Sequence, residues 1–308
     1  MKKAIIAILL CLVAATTNAQ FLFRISGKGL KEPSYMLGTI HTLSGSLLDS
    51  IPEYIEAEAQ CRQLYAEQNL SDQQVINQAK ASTTKDLFLP DSMTIGDLLT
   101  TEQFNMLRRK VREVFNKDIK PQANLKPSAF TLMFNHAIEA EAMKMYPEFS
   151  SSGPVDSTRI DATSIERAIQ RGMTVGHLDD FSRVDSLPNT VGLTMELDAS
   201  VDSLVSVLNN YDEYKQKMFD VWKVLAEITD CWMKGDYDSF VSRGDWLISS
   251  NPADVFGRNK KWIPKMQVAM KQSPTMFVFG AAHLHGEGGI IAMLKDAGYK
   301  VKQVKRNK

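Results

Sequence analysis

The sequence predicts an α/β fold: a mixed, largely parallel central sheet built from both ends of the chain, with large helical insertions covering it. Two observations carry that expectation. A short apolar run ends in Gly-x-x-His near the start, in SYMLGTIHTLSGS (Ser34–Ser46), and the arrangement returns near the end, in PTMFVFGAAHLHGEGGI (Pro274–Ile290). Strand-helix-strand patterns surround both echoes, and long blocks of helical periodicity lie between them.

Residues 1–19, MKKAIIAILLCLVAATTNA, read as a secretory signal: Lys2 and Lys3 lead an apolar stretch from Ala4 to Ala15, and the small Ala19 closes it. The stretch is short for a membrane span. Cys11 follows Leu10, where a lipid-attachment cysteine needs a small residue before it. Residues 20–308 are then expected to form a single exported domain, periplasmic or secreted. Tyr35–Ile40 is the first expected strand, running into His41. Ser50 as N-cap, Pro52 in the first turn and Glu53 predict a helix, with Ile51, Tyr54, Ile55 and Ala59 at helical spacing. Gln63–Ala66 returns as a strand that stops at Glu67. A right-handed crossover makes these two strands parallel neighbours.

Insertions are expected at about 90–150 and 195–272. Thr100–Gln103 is a capping box before the amphipathic Phe104–Phe115, and Pro127–Tyr146 is a second helix. Ser164–Gln170 reads as a helix stopped by Gly172, and Met173–Gly176 as a strand leading to His177-Leu178-Asp179. Leu197–Lys271 is almost wholly helical, with breaks near Gly235, Asn251-Pro252 and Gly257. Met276–Phe279 is a strand, Gly289–Ala297 a helix closed by Gly298, and Tyr299–Val304 the last strand.

Composition narrows the function. Thirty-six basic residues balance thirty-six acidic ones, and no basic block precedes the short tail from Lys300. That pattern excludes nucleic acid as the main partner. No run after the signal is long and apolar enough to cross a bilayer. Cys61 and Cys231 remain after signal removal. Two unpaired buried side chains are the preferred reading over a disulfide, and the pair forms no zinc framework. No G-x-S-x-G elbow points to a serine nucleophile.

His41, Glu67, Asp179 and His283 each fall at or just beyond the carboxyl end of an expected strand, where α/β sheets gather their ligands. Two imidazoles with one or two carboxylates suit a divalent first-row metal such as Mn, Co or Zn. They also suit general-base chemistry by an acid left off the metal. Gly38 and Gly280 are expected to turn the backbone sharply and to let a ligand approach. His285 reads as a surface residue in a turn rather than a third ligand. His177 and His136 read as structural, the helix Met133–Met145 as core, and the charges of Glu102–Lys120 as a solvated face. Arg258 and Asn259 are expected to open a helix after Gly257, placed to steady a carboxylate or an oxyanion. The competing reading pairs Arg258 with a structural acid.

Taken in order, LGTIH, LYAEQNL, LFLPDSMTIGDLL, LKPSAF, AIQRGMTVGHLDD, GRNKKWIPKM and VFGAAHLHGEGGIIAMLKDAGYKV resemble the TraB/GumN family over about Phe21 to Val304. That family is related to the Tiki metalloproteases and, more distantly, to the erythromycin-esterase and ChaN-like folds. The resemblance implies a metal-dependent hydrolase, a peptidase or amidase, acting on a peptide or small molecule outside the cytoplasm. His41 and His283 match its motif histidines, Glu67 its strand-end acid, and Arg258 with Asn259 its Arg-Asn pair. Asp179 stands where relatives carry Glu, one methylene shorter, and His285 replaces a usual proline. Two alternatives stay open. One is a hydrolase working through His and Glu without metal; the other is a binding protein for a peptide or haem.

Overall fold

The computed structural model describes residues 21–68, 77, 87–146, 158–179, 190–250 and 252–305. The expected signal segment lies outside them. Six strands, β1 (Leu22–Ser26), β2 (Ser34–Thr39), β3 (Gln63–Ala66), β4 (Thr174–His177), β5 (Thr275–Gly280) and β6 (Lys300–Gln303), form one sheet in the order β4-β3-β5-β2-β1-β6. The pairs β4·β3, β3·β5 and β5·β2 are parallel, whereas β1 is antiparallel to both β2 and β6. The sheet is thus mixed, mostly parallel, and drawn from both ends of the chain.

The expected neighbourhood of β2 and β3 is corrected, because β5 lies between them. Every residue of β5 (TMFVFG) and of β2 (SYMLGT) is buried. A strand apolar along its whole length is covered on both faces, which is possible only inside the sheet. The edge strand β4 (TVGH) has no buried residue. Strand β1 was not anticipated. Its alternation is short, with Leu22 and Phe23 both buried and Arg24 the one exposed residue, and it lies close after residues 1–19, expected to be a signal.

The described helices are α1 (Pro52–Gln60), α2 (Ile95–Leu98), α3 (Thr101–Phe115), α4 (Pro127–Met145), α5 (Ile160–Gln170), α6 (Thr190–Asn209), α7 (Tyr211–Lys234), α8 (Tyr237–Ser250), α9 (Pro252–Gln272) and α10 (Ile290–Asp296). Thr100 and Gln103 form the expected capping box of α3. Ser50 does not cap α1. It ends a 3-10 turn, Gly45–Ser50, and its hydroxyl donates to the Leu47 carbonyl, so Ile51 takes the N-cap position. The expected break at Gly257 is also absent, since α9 runs through it. A break not anticipated falls at Asn210, between α6 and α7.

Two apolar cores result. The first packs the sheet against α1, α5, α9, α10 and the C-terminal part of α7, around Phe277, Phe279, Trp262 and Trp232. The second joins α3, α4 and α6 through Leu107, Phe130, Phe134 and Leu204, and takes Tyr211 from the start of α7. With its 24 residues, α7 spans about 36 Å at 1.5 Å per residue, long enough to tie both cores together. Trp232 of α7 donates through its indole N–H to the Gly38 carbonyl at 2.7 Å, in the first core. The α4 face at Phe130, Phe134, Ile138 and Ala142 is buried, whereas Met133 and Met145 are exposed; the reading of this methionine helix as core is corrected to half core, half surface. Its periodicity was masked by apolar residues on both faces.

Glu58 of α1 is fully buried and receives Tyr54 at 3.1 Å, Arg171 at 3.2 Å and Arg167 at 3.4 Å. This clamp sets α5 against α1, and so sets the position of Asp161. Cys61 and Cys231 are both free and buried. Burial, with Glu58 nearby, pushes the Cys61 thiol up to about 12. Two thiols are therefore expected on titration of unreduced, unfolded protein lacking residues 1–19, and Cys61 should resist alkylation at pH 8 until the protein unfolds. A mass two units light in the unreduced chain would contradict this.

Candidate functional site

The parallel strands β2, β5, β3 and β4 end on one rim. His41 follows Thr39 by two residues, Glu67 follows Ala66 directly, Asp179 follows His177 by two, and His283 closes a 3-10 turn (Ala281–His283) after Gly280. The ladder continues past the strands: Leu178 N–H donates to the Ala66 carbonyl at 2.9 Å and Asp179 N–H to the Glu67 carbonyl at 3.0 Å. Those two bonds hold the two carboxylates side by side.

Glu67 is the hub. Its Oε1 accepts from Gly280 N–H at 2.7 Å, and lies 3.5 Å from His41 Nε2 and 3.7 Å from His283 Nε2. Its Oε2 accepts from Arg258 Nη2 at 2.5 Å. Burial acts to raise the Glu67 carboxyl, but His283, His41 and Arg258, with the Gly280 N–H, outweigh it and hold the group below its ordinary value. Glu67 is ionised at neutral pH.

Each imidazole is oriented from behind. His41 Nδ1 lies 2.6 Å from Asp161 Oδ2, and Asp161 Oδ1 accepts from Thr39 Oγ1 at 2.8 Å. With 57% of its side chain exposed, His41 stands at the mouth, and the Asp161 hydrogen bond raises its pKa against the opposing effect of burial. His283 lies deeper, its side chain 6% exposed and its ring 4.3 Å from that of Trp262. Burial pushes it down to about 4, so it is neutral. Its tautomer follows from Asn259. The Asn259 amide N–H group donates to the Gly288 carbonyl at 2.8 Å and to the His283 carbonyl at 3.3 Å, which turns Oδ1 to His283 Nδ1 at 2.6 Å. Nδ1 therefore carries the proton, and the Nε2 lone pair faces Glu67.

Arg258 and Asn259 do not open a helix. They lie inside α9, beyond its first turn, so an appeal to a helix N-terminus at this point is withdrawn. Arg258 forms a two-pronged pair with Asp179, Nε to Oδ1 at 3.2 Å and Nη2 to Oδ2 at 2.8 Å, and its Nη1 is 3.4 Å from His283 Nε2. Trp262, one turn on, donates to Asp179 Oδ1 at 2.8 Å and lies under the guanidinium at 4.7 Å. Asp179 thus holds Arg258, and Arg258 holds Glu67. Asn259 is fully buried, and its hydrogen bonds are spent on His283 and the following loop, so it positions that ring rather than facing a substrate.

A Cβ on Gly280 would sit 2.8 Å from His41 Nε2 and 3.3 Å from Glu67 Oε1, so its absence keeps the space between the donors open. Gly38 has a different reason. A Cβ there would strike Leu284 at 2.4 Å and Ala281 at 3.0 Å, which makes it a packing glycine under the β5 loop. Neither has a positive φ, so the sharp turn expected of them is not their role. His285 is not on the surface. It is 6% exposed and meets the Phe240 ring edge-on at 5.8 Å. His136 stands on the exposed face of α4, with Glu139 at 3.1 Å.

Asp161 and Trp262 belong to the cluster and were not singled out from the sequence. Trp262 is the i+4 neighbour of Arg258, a signal that could have been read. Asp161 was hidden because α5 was expected to start at Ser164 rather than Ile160.

Chemically, the donor types, two imidazoles and nearby carboxylates, are those that suit a cation. Two carboxylates, Glu67 and Asp179, flank the Arg258 guanidinium, and a third, Asp161, stands behind His41. Two donors bound to one tetrahedral ion at about 2.1 Å lie roughly 3.4 Å apart; the separations of 3.5 and 3.7 Å about Glu67 Oε1 are close to that. As the side chains stand, no group of three or more His, Cys, Asp or Glu among the described residues is drawn tightly enough to hold an ion.

A family model described as the TraB/PrgY/gumN family matches residues 21–303. No curated protein and no solved structure matches the chain.

Proposed function

The chain belongs to the TraB/PrgY/gumN family, and from that premise we propose that it is a metal-dependent hydrolase of peptide or amide bonds acting outside the cytoplasm. The observation that supports this reading best is the convergence of His41 Nε2 and His283 Nε2 on Glu67 Oε1, with Gly280 keeping the space between them clear. In this reading His41 and His283 hold a Mn, Co or Zn ion, and Glu67 is either its third ligand or the general base. Such an ion supplies Lewis-acid polarisation of the scissile carbonyl and acidifies water towards neutrality.

The chain's own residues do the rest. Asp161 and Asn259 keep both Nδ1 positions engaged, so that both Nε2 atoms point inward. Left off the ion, Glu67, kept ionised, takes up the proton of the attacking water. Arg258 fixes the far oxygen of Glu67 and sets a positive charge beside the place where an oxyanion would develop. Trp262 and Phe279 keep the His283 side dry. Export rests on residues 1–19, with their basic start, apolar run and small closing residue.

Purified protein is expected to carry about one divalent ion per chain, read by elemental mass spectrometry. His41→Ala should lose both the ion and cleavage of a peptide library; full metal occupancy in that variant overturns the ligand set. A second reading has its own support. The Asp161–His41 pair, 2.6 Å apart, is an acid orienting a base, and with Arg258 near His283 it could activate water without metal. Cleavage indifferent to chelators selects it.

A further inference from the structure

Beside the rim lies a cavity of about 260 Å³ that the hydrolytic chemistry does not use. One wall is the site itself: His41, Gly280 and His283. Trp222 and Leu225 of α7 and Phe240 and Gly244 of α8 also line it, as does His285, which lies beside Phe240 and Gly244. Among the described residues, the lining carries no Asp, Glu, Lys or Arg. An apolar space continuous with the reacting groups favours an apolar occupant, because expelling its water stabilises the complex by about 25 cal/mol per Å² of apolar surface covered.

Size narrows the class. A cavity of roughly 150 Å³ holds one benzene ring. The present one, about 260 Å³, therefore has room for a single large side chain and its attached amide. A long acyl chain or a folded partner exceeds it.

We propose that this cavity is the specificity pocket for an aromatic or branched aliphatic side chain next to the scissile bond, and that Gly244 sets its depth. The position beside a scissile bond rests on the hydrolase reading; the pocket's binding preference does not. Gly244 is buried in the middle of α8, where glycine costs about 1 kcal/mol relative to alanine. Among the described residues a Cβ there would meet His285 at 3.6 Å and Phe240 at 4.0 Å, ordinary contacts that do not require a glycine. What a side chain at this position would take away is cavity. The glycine is thus explained by the space it leaves, not by backbone conformation.

The test uses the full mature chain with Gly244→Ala and Gly244→Leu. Binding of N-acetyl-phenylalanine amide, N-acetyl-alanine amide and N-acetyl-lysine amide is measured by calorimetry or NMR, alongside cleavage of a mixed peptide library. Wild type should bind the phenylalanine amide at least about tenfold more tightly than the other two, the lower end expected for burying one large apolar side chain. Gly244→Ala should reduce that ratio, and Gly244→Leu should abolish it while thermal unfolding shows a folded protein. If Gly244→Leu fails to fold, the Gly244→Ala ratio alone decides. A wild type without preference, or a ratio unchanged in a folded variant, overturns the pocket. Preference for the phenylalanine amide with no peptide cleaved under any metal leaves the pocket standing and removes the hydrolase reading instead.

Discussion

Glu67→Gln is expected to lower peptide turnover by about 10²–10⁴-fold with metal in excess, the range for loss of a positioned general base. The substitution keeps shape and removes charge, so it separates electrostatics from packing. It also cannot satisfy the site. Gly280 N–H donates to one carboxylate oxygen and Arg258 Nη2 to the other. A glutamine amide offers one oxygen, so in either orientation its NH₂ faces one of those donors. That mismatch costs about 1–3 kcal/mol of stability in addition to the lost turnover. Metal content read in parallel divides the effect: retained metal with lost turnover assigns proton transfer to Glu67, and metal lost together with turnover assigns coordination. Turnover within tenfold of wild type would remove Glu67 from the chemistry altogether.

Much of the rim could be read from the sequence because strand ends are local features. Apolar runs stopping at Gly-x-x-His, Glu67 and Leu178-Asp179 mark where four segments leave the sheet, and parallel pairing then forces those ends to one side. Strand order is different. Nothing near β2 or β3 in sequence says that β5 enters between them; only the complete burial of β5 decides it, and burial is a property of the assembled sheet. The same limit hid the roles of Arg258, Asn259 and His285. A helical Asn reads alike whether it faces substrate or locks a histidine behind the site. A histidine in a glycine-rich turn reads as exposed until Phe240, on a helix packed from elsewhere, covers it. The competing readings of Arg258, structural pair or functional group, turn out not to exclude one another: Asp179 is the structural acid, and Glu67 is what the pairing holds in place.

His283 carries the second large effect, on stability against pH. Burial is the main cause of its low pKa, and Arg258 adds to it while Glu67 opposes; the folded value is about 4 against 6.5 for the free side chain. Between those values the unfolded chain binds a proton that the folded one refuses, so stability rises with pH. The contribution is fully present above about pH 6.5 and is lost progressively as pH falls towards 4, about 3 kcal/mol in all. His41 has the opposite sign. Its pKa is raised, so its contribution is present below 6.5 and lost as pH rises through its folded value, and its exposed side chain makes that small. Urea unfolding in chelator at pH 7.5 and 4.5, for wild type and His283→Asn, isolates the first effect because both proteins share the remaining groups. Wild type should lose about 2–3 kcal/mol more than the variant across that interval. Equal losses would mean that the ring is not held neutral, and the inward lone pair on Nε2 would then be absent over part of that range. If the difference is found, the His283 lone pair is available at any pH above about 5, and the acid limb of the activity profile belongs to other groups in the cluster.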